Sequence, residues 1–256
     1  MLKHPFRVLW RFVGFLIISF LAIFDFLLRK WLFRKTSHAE RAAWSHRWGR
    51  QFVRCLNIEP SFFGEPPKSG ILTANHLGYL DILVLASRQP LVFVSKSEVR
   101  SWPIIGWLAV CGGTIFVNRQ RKSDVAALGS SFAPVVNAGG VLVLFPEGTS
   151  TGGDRVLPFM PSLLESAAQN GWAVSSAWIG YSLREGSVAD EVAYWRDMTF
   201  LSHFLNLLSK PEIRAKVVYS SALPGGLDRK RLAKLLHDQV EETARQNGVL
   251  SERGSQ

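Results

Sequence analysis

The run Val141-Leu142-Val143-Leu144-Phe145, continuing as Pro146-Glu147-Gly148-Thr149-Ser150, decides the fold class of this chain. Five apolar residues follow one another without polar alternation, so neither side of the segment can face water. A strand buried on both sides belongs in a parallel sheet covered by helices on each face. The Pro and Gly that follow end the strand in a tight turn, and that turn carries one carboxylate, Glu147.

The flanking sequence keeps the same rhythm. Residues 71–74, 91–95 and 114–117 read as earlier strands, and residues 173–179 and 215–219 as later ones. Ser123 is placed to cap a helix whose Val125, Leu128, Phe132 and Val136 share one face. After Gly225-Gly226, Asp228 caps another with Leu232, Leu235, Leu236 and Val240 aligned. Strands alternating with helices predict an α/β fold with a mostly parallel central sheet flanked by helices. No internal repeat interrupts the pattern.

Residues 1–56 read differently and are expected to form a membrane-associating helical segment ahead of an α/β domain at 57–256. Residues 12–24 carry no charge, and Asp25 is followed by Phe26, Leu27 and Leu28. As a helix these seventeen residues would span roughly 25 Å, short of the ~30 Å hydrocarbon core. Arg7 and Arg11 flank one end; Arg29, Lys30, Arg34 and Lys35 flank the other, so charge asymmetry sets no orientation. A helix lying in one leaflet, its basic residues reaching phosphates, fits at least as well as a full span. No small-residue cleavage site follows it, which disfavours a secretory signal. A second helix over residues 37–56 repeats Trp44, Trp48, Phe52 and Leu56 at helical spacing. It is either interfacial or packed on the domain.

The chain has 256 residues, 47% of them hydrophobic, and a net charge of +10, which calls for an anionic partner. Nine Trp and the apolar N-terminus favour lipid over nucleic acid, and no nucleic-acid-binding signature is visible. Cys55 and Cys111 lie far apart and fit no metal-ligand spacing, so neither a disulfide framework nor a metal is expected.

Asn75-His76-Leu77-Gly78-Tyr79-Leu80-Asp81 follows directly on the strand at 71–74. Ligands of open α/β sheets bind beyond the carboxyl ends of the strands, which is where His76 falls. A spacing of five does not put two side chains on one helix face. The pair works if His76 lies in the loop and Asp81 in the first turn of the next helix. Asp81 then accepts from one imidazole nitrogen, and the other is free to take a proton from a hydroxyl. Arg119, just past the strand at 114–117, offers a fork for phosphate or carboxylate. Gly148-Thr149-Ser150-Thr151-Gly152 matches the Gly-x-Ser-x-Gly of serine hydrolases. That motif requires a strand, a sharp turn and then a helix, and the next helix is expected only near Met160.

Taken together, these residues resemble the glycerolphosphate and lysophosphatidate acyltransferases of phospholipid synthesis. Asn75-His76 through Asp81 resembles the first block of that family, residues 113–119 the second, and Phe145-Pro146-Glu147-Gly148-Thr149 the third. Lys96 and Glu98, followed by residues 102–107, resemble the stretch between the first two. The likeness runs from about residue 57 to residue 222. It implies acyl transfer with His76 as general base and Asp81 orienting it. It also implies that Arg119, Glu147, Gly148, Thr149, Asn75 and Lys96 bind the acceptor, 1-acylglycerol-3-phosphate in the first reading. The donor implied is an acyl thioester, acyl-CoA or an acylated carrier protein, with no cofactor, on the cytoplasmic face of the inner membrane. Residues 174–179 lack the proline usual in the fourth block, and residues 194–200 resemble a bacterial subgroup that includes lyso-ornithine lipid acyltransferases. A non-catalytic lipid-binding module would need no base, so His76, Asp81 and Glu147 together argue against it.

Overall fold

The computed structural model describes residues 4–33, 36–118 and 128–249. Among the described residues seven strands form one sheet: β1 (Ile58–Phe63), β2 (Gly70–Ala74), β3 (Val92–Lys96), β4 (Ile115–Val117), β5 (Val141–Leu144), β6 (Val174–Ser182) and β7 (Ile213–Tyr219). Their order across the sheet is β1-β7-β6-β2-β5-β3-β4. Every pairing is parallel except β6 with β7. The sheet is therefore mostly parallel, as its apolar strands require.

Two cores account for the missing polar alternation. On one face Leu72, Ala74, Val141, Val143, Ala177 and Val217 join one buried cluster. On the other, Ile71, Leu142, Leu144, Val174 and Trp178 join a second. Successive residues of β5 point to opposite faces, and both faces are dry. Helix α3 (Tyr79–Arg88) packs on the first face; α5 (Leu128–Val136), α6 (Glu165–Asn170) and α9 (Arg229–Gln246) cover the second. Asp228 caps α9 as expected, accepting from the amides of Lys230 and Arg231. Ser123 and Val125 lie outside the described residues.

Strand β1 escapes the sequence reading. Its exposure alternates, it carries Pro60, and it sits at the sheet edge, where a missing amide is tolerated. Helices α4 (Ile105–Cys111), α7 (Val188–Glu191) and α8 (Phe200–Ser209) are likewise additions, α8 being a short apolar helix packed inside the first core.

The N-terminal helix α1 runs from Pro5 to Phe33, 29 residues rather than seventeen. At about 44 Å it is long and apolar enough to cross a membrane. One stripe, Val8, Phe15, Ser19, Ala22 and Phe26, is buried against the rest of the chain. The remaining surface leaves Phe6 87%, Trp10 79% and Trp31 77% exposed. Arg7 and Arg11 do not reach outward to phosphates. They donate to the carbonyls of Leu208, Ser209, Lys210 and Pro211, where the carboxyl end of α8 leaves oxygens unpaired. Asp25 accepts from Arg29 at 2.7 Å and from the Trp48 indole at 3.0 Å. Arg34 and Lys35 lie outside the described residues. Helix α2 (His38–Cys55) opens on a reciprocal cap between Ser37 and Glu40 and packs on α3, with Trp44, Phe52 and Leu56 buried. The helix meets both neighbours: it packs on the domain through α3 and pairs with α1, where the Trp44 indole donates to the Ala22 carbonyl at 3.1 Å.

Candidate active site

Strands β2, β5 and β6 run side by side in one direction, so their carboxyl ends share one edge of the sheet. That edge receives His76 two residues after β2, Glu147 three residues after β5, and Tyr181 near the end of β6.

Helix α3 begins at Tyr79, so Asp81 is its third residue. A carboxylate there accepts from the amide preceding the helix and lies against the positive end of the helix dipole. Asp81 is completely buried and collects four donors. His76 Nδ1 lies 2.8 Å from its Oδ2, which also accepts from the amides of Leu77 at 2.7 Å and Gly78 at 3.0 Å. The Tyr181 hydroxyl donates to its Oδ1 at 2.7 Å. Gly78 has φ of 152°, and a Cβ there would meet Tyr194 Cβ at 2.9 Å, so the loop admits no side chain at this position.

The imidazole of His76 is 22% exposed and stacks on Phe145 with ring centroids 4.1 Å apart. With Nδ1 held by Asp81, Nε2 is the ring nitrogen left for a substrate group. The backbone of His76 is held as firmly as its ring. Its amide donates to Glu147 Oε1 at 2.9 Å, and its carbonyl accepts from Thr151 at 2.9 Å. One residue on, the Leu77 carbonyl accepts from Tyr194 at 2.7 Å.

Glu147 is buried and occupied on both oxygens, the second accepting from the Leu157 amide at 3.1 Å. Burial pushes its carboxyl up to about 8, and the negative Asp81 adds to this, while the two amide donors work against it. In this structure Glu147 ties two loops together, its oxygens turned to backbone rather than to open space. Asn75 is also engaged, exchanging hydrogen bonds with the backbone of Ile179 at 2.7 and 2.8 Å. The Gly148 amide donates to Phe145 at 3.2 Å, closing the turn. Thr149 and Lys96 are exposed on the same edge. Arg119 lies outside the described residues. Ser150 donates to the Tyr194 carbonyl at 2.6 Å and lies in a loop without a following α-helix until Glu165, which removes the hydrolase elbow.

Tyr181 and the Tyr194 loop are the contributors that the motif reading did not place at the site. No local signal marks Tyr181, because the residue it touches is 100 positions away.

Beside the His76 loop, an apolar cleft opens between α1, α2, α3, α4 and α8, lined by Phe15, Trp48, Phe52, Leu83, Leu108 and Phe200. Tyr79, the residue that starts α3, forms part of its wall.

A family profile described as Acyltransferase matches residues 63–180. A lyso-ornithine lipid O-acyltransferase of Pseudomonas aeruginosa is 35% identical over 189 residues, covering 73% of this chain and 72% of that protein. A 1-acyl-sn-glycerol-3-phosphate acyltransferase of Neisseria gonorrhoeae is 27% identical over 181 residues, covering 71% and 70%. The solved structure of the 1-acyl-sn-glycerophosphate acyltransferase PlsC of Thermotoga maritima is similar in fold, with a TM-score of 0.71 at 18% identity over 98% of this chain and 97% of that one.

Proposed function

This chain belongs to the lysophosphatidate acyltransferase family, in the bacterial subgroup that includes lyso-ornithine lipid acyltransferases, and we propose that it acylates the free hydroxyl of a lysolipid from an acyl thioester. The observation that carries this reading is the 2.8 Å contact of His76 Nδ1 with the buried Asp81, which leaves Nε2 as the nitrogen that can take a proton. Nε2 takes the hydroxyl proton as the oxygen attacks the thioester carbonyl. Collapse of the tetrahedral oxyanion breaks the carbon–sulfur bond, and the proton on Nε2 leaves with the thiol. No acyl-enzyme forms. Asp81 holds the tautomer and faces the imidazolium as it forms, a role for which its four donors suit it. A positioned base of this kind contributes about 10² to 10⁴ in rate.

The apolar cleft suits a fatty acyl chain, and Tyr79 in its wall links it to the His76 loop. The donor in this reading is acyl-CoA or an acylated carrier protein, with no cofactor. The chain associates with membrane through α1, which we place, with residues 1–56 as the membrane-associating segment, on the cytoplasmic face of the inner membrane. The exposed apolar side of α1 and its buried stripe together favour a helix held against the domain and immersed in one leaflet.

The acceptor of the first reading is 1-acylglycerol-3-phosphate, giving phosphatidate, with Lys96 and Arg119 as the cations for its phosphate. A second reading, lyso-ornithine lipid, is favoured by the relative of that name at 35% identity, against 27% for the lysophosphatidate relative. Purified protein offered both lysolipids and one acyl thioester decides between them by which product accumulates. Turnover of neither, or undiminished turnover in His76→Ala, would end the acyl-transfer reading.

A further inference from the structure

We infer that Tyr181 is a positioning residue of this site, anchoring the carboxylate of Asp81 so that its other oxygen stays aimed at His76. The inference rests on the acyl-transfer reading above.

Three of the four donors to Asp81, the imidazole and the amides of Leu77 and Gly78, converge on Oδ2. They belong to the same loop, and by themselves they would let the carboxyl group pivot about that oxygen. Oδ1 is held from the other side by the Tyr181 hydroxyl at 2.7 Å, from a strand 100 residues away. That phenol remains a neutral donor, because burial and the Asp81 charge both oppose its ionisation. Tyr181 is fixed in turn by β6, whose ladder to β2 continues through the bonds between Asn75 and Ile179. Two strands thus hold two ends of one carboxylate.

Without the hydroxyl, Oδ1 becomes a buried acceptor with no donor, and the ionised carboxylate is the form that loses most. The coupled pair then binds a proton more readily, so the base is occupied over more of the acidic range. Among the described residues, the other titratable groups around the pair are Glu147 on the β5 turn, Tyr79 at the start of α3, and beyond them Tyr194, whose amide bonds Leu77, and His203 of α8, bonded to the Tyr79 hydroxyl. The Glu147 carboxyl, pushed up to about 8, can add a limb of its own to the profile, so the measurement is repeated in a Glu147→Gln background.

Tyr181→Phe removes one oxygen and keeps the ring. The expected result is a kcat lowered about tenfold, KM for donor and acceptor within about twofold, and an acid limb of the pH–rate profile displaced upward by about half a unit or more. A purely structural tyrosine would lower the melting temperature and leave that limb where it was; this outcome, or a kcat within twofold of the parent, overturns the inference. Should the parent protein turn over no lysolipid, the functional reading has failed by itself. The tyrosine is then judged by the downfield Nδ1 proton resonance of His76 in detergent, which must move in Tyr181→Phe for the inference to stand.

Discussion

Asp81→Asn separates the charge of the dyad from its geometry. The amide oxygen of Asn can take the place of Oδ2 and accept from His76, Leu77 and Gly78, while its NH₂ faces the Tyr181 hydroxyl, which turns to accept. All four hydrogen bonds have a partner, so the fold should survive, with a loss of about 1 kcal/mol from the missing charge at the start of α3. What disappears is the attraction between a carboxylate and the imidazolium formed during transfer. At a separation near 4 Å and an effective dielectric of about 20 this is worth roughly 4 kcal/mol, or about 10³ in rate. Asp81→Ala is a different perturbation. It orphans buried amides and the hydroxyl together, at about 1–3 kcal/mol each, and should compromise folding as well as turnover. Steady-state acyl transfer with a chromogenic thiol trap, run beside thermal unfolding in detergent, reads both quantities. A well-folded Asp81→Asn protein with kcat within about fivefold of the parent would refute the claim that Asp81 acts through its charge.

Glu147→Gln should flatten the pH dependence of stability. The parent carboxyl holds a proton between its ordinary 4.5 and about 8 that the unfolded chain has lost, so its contribution is full below about 4.5 and fades as pH rises to about 8. The expected span is a few kcal/mol at most, read from unfolding midpoints; parallel curves for parent and variant would contradict it. Gly78→Ala forces a methyl to 2.9 Å from Tyr194 Cβ and should cost about 1–3 kcal/mol, with a matching fall in melting temperature. Trp10→Glu combined with Phe20→Glu places two charges on the exposed side of α1 and should release the protein from anionic vesicles in flotation, with the unfolding midpoint unchanged. Ser150→Ala forfeits one hydrogen bond to the Tyr194 carbonyl and should keep acyl transfer within about threefold; a total loss would revive the serine nucleophile.

Much of this site is legible in sequence because its central pair is local. Five positions separate His76 from Asp81, and a helix starting at Tyr79 puts the acid at its third residue, where helix ends attract carboxylates. The roles suggested for Asn75 and Glu147 were harder to read. The motif marks both residues, but their side chains turn to the backbones of Ile179, His76 and Leu157, segments that only the sheet order brings near. Arg7 and Arg11 show the same limit on α1. Flanking an apolar run, they read as lipid-facing, yet the unpaired carbonyls at the end of α8 claim them.

The sequence by itself determined the strands buried on both faces, the Asp228 cap of α9 and the loop that pairs an imidazole with a carboxylate. Each follows from periodicity or from hydrogen bonds spanning a few residues. Only the tertiary structure decided that β7 runs against β6, that β6 lies beside β2, and that Tyr181 therefore reaches Asp81. Strand order depends on which apolar faces fill the two cores together, and that competition is settled among segments about a hundred residues apart.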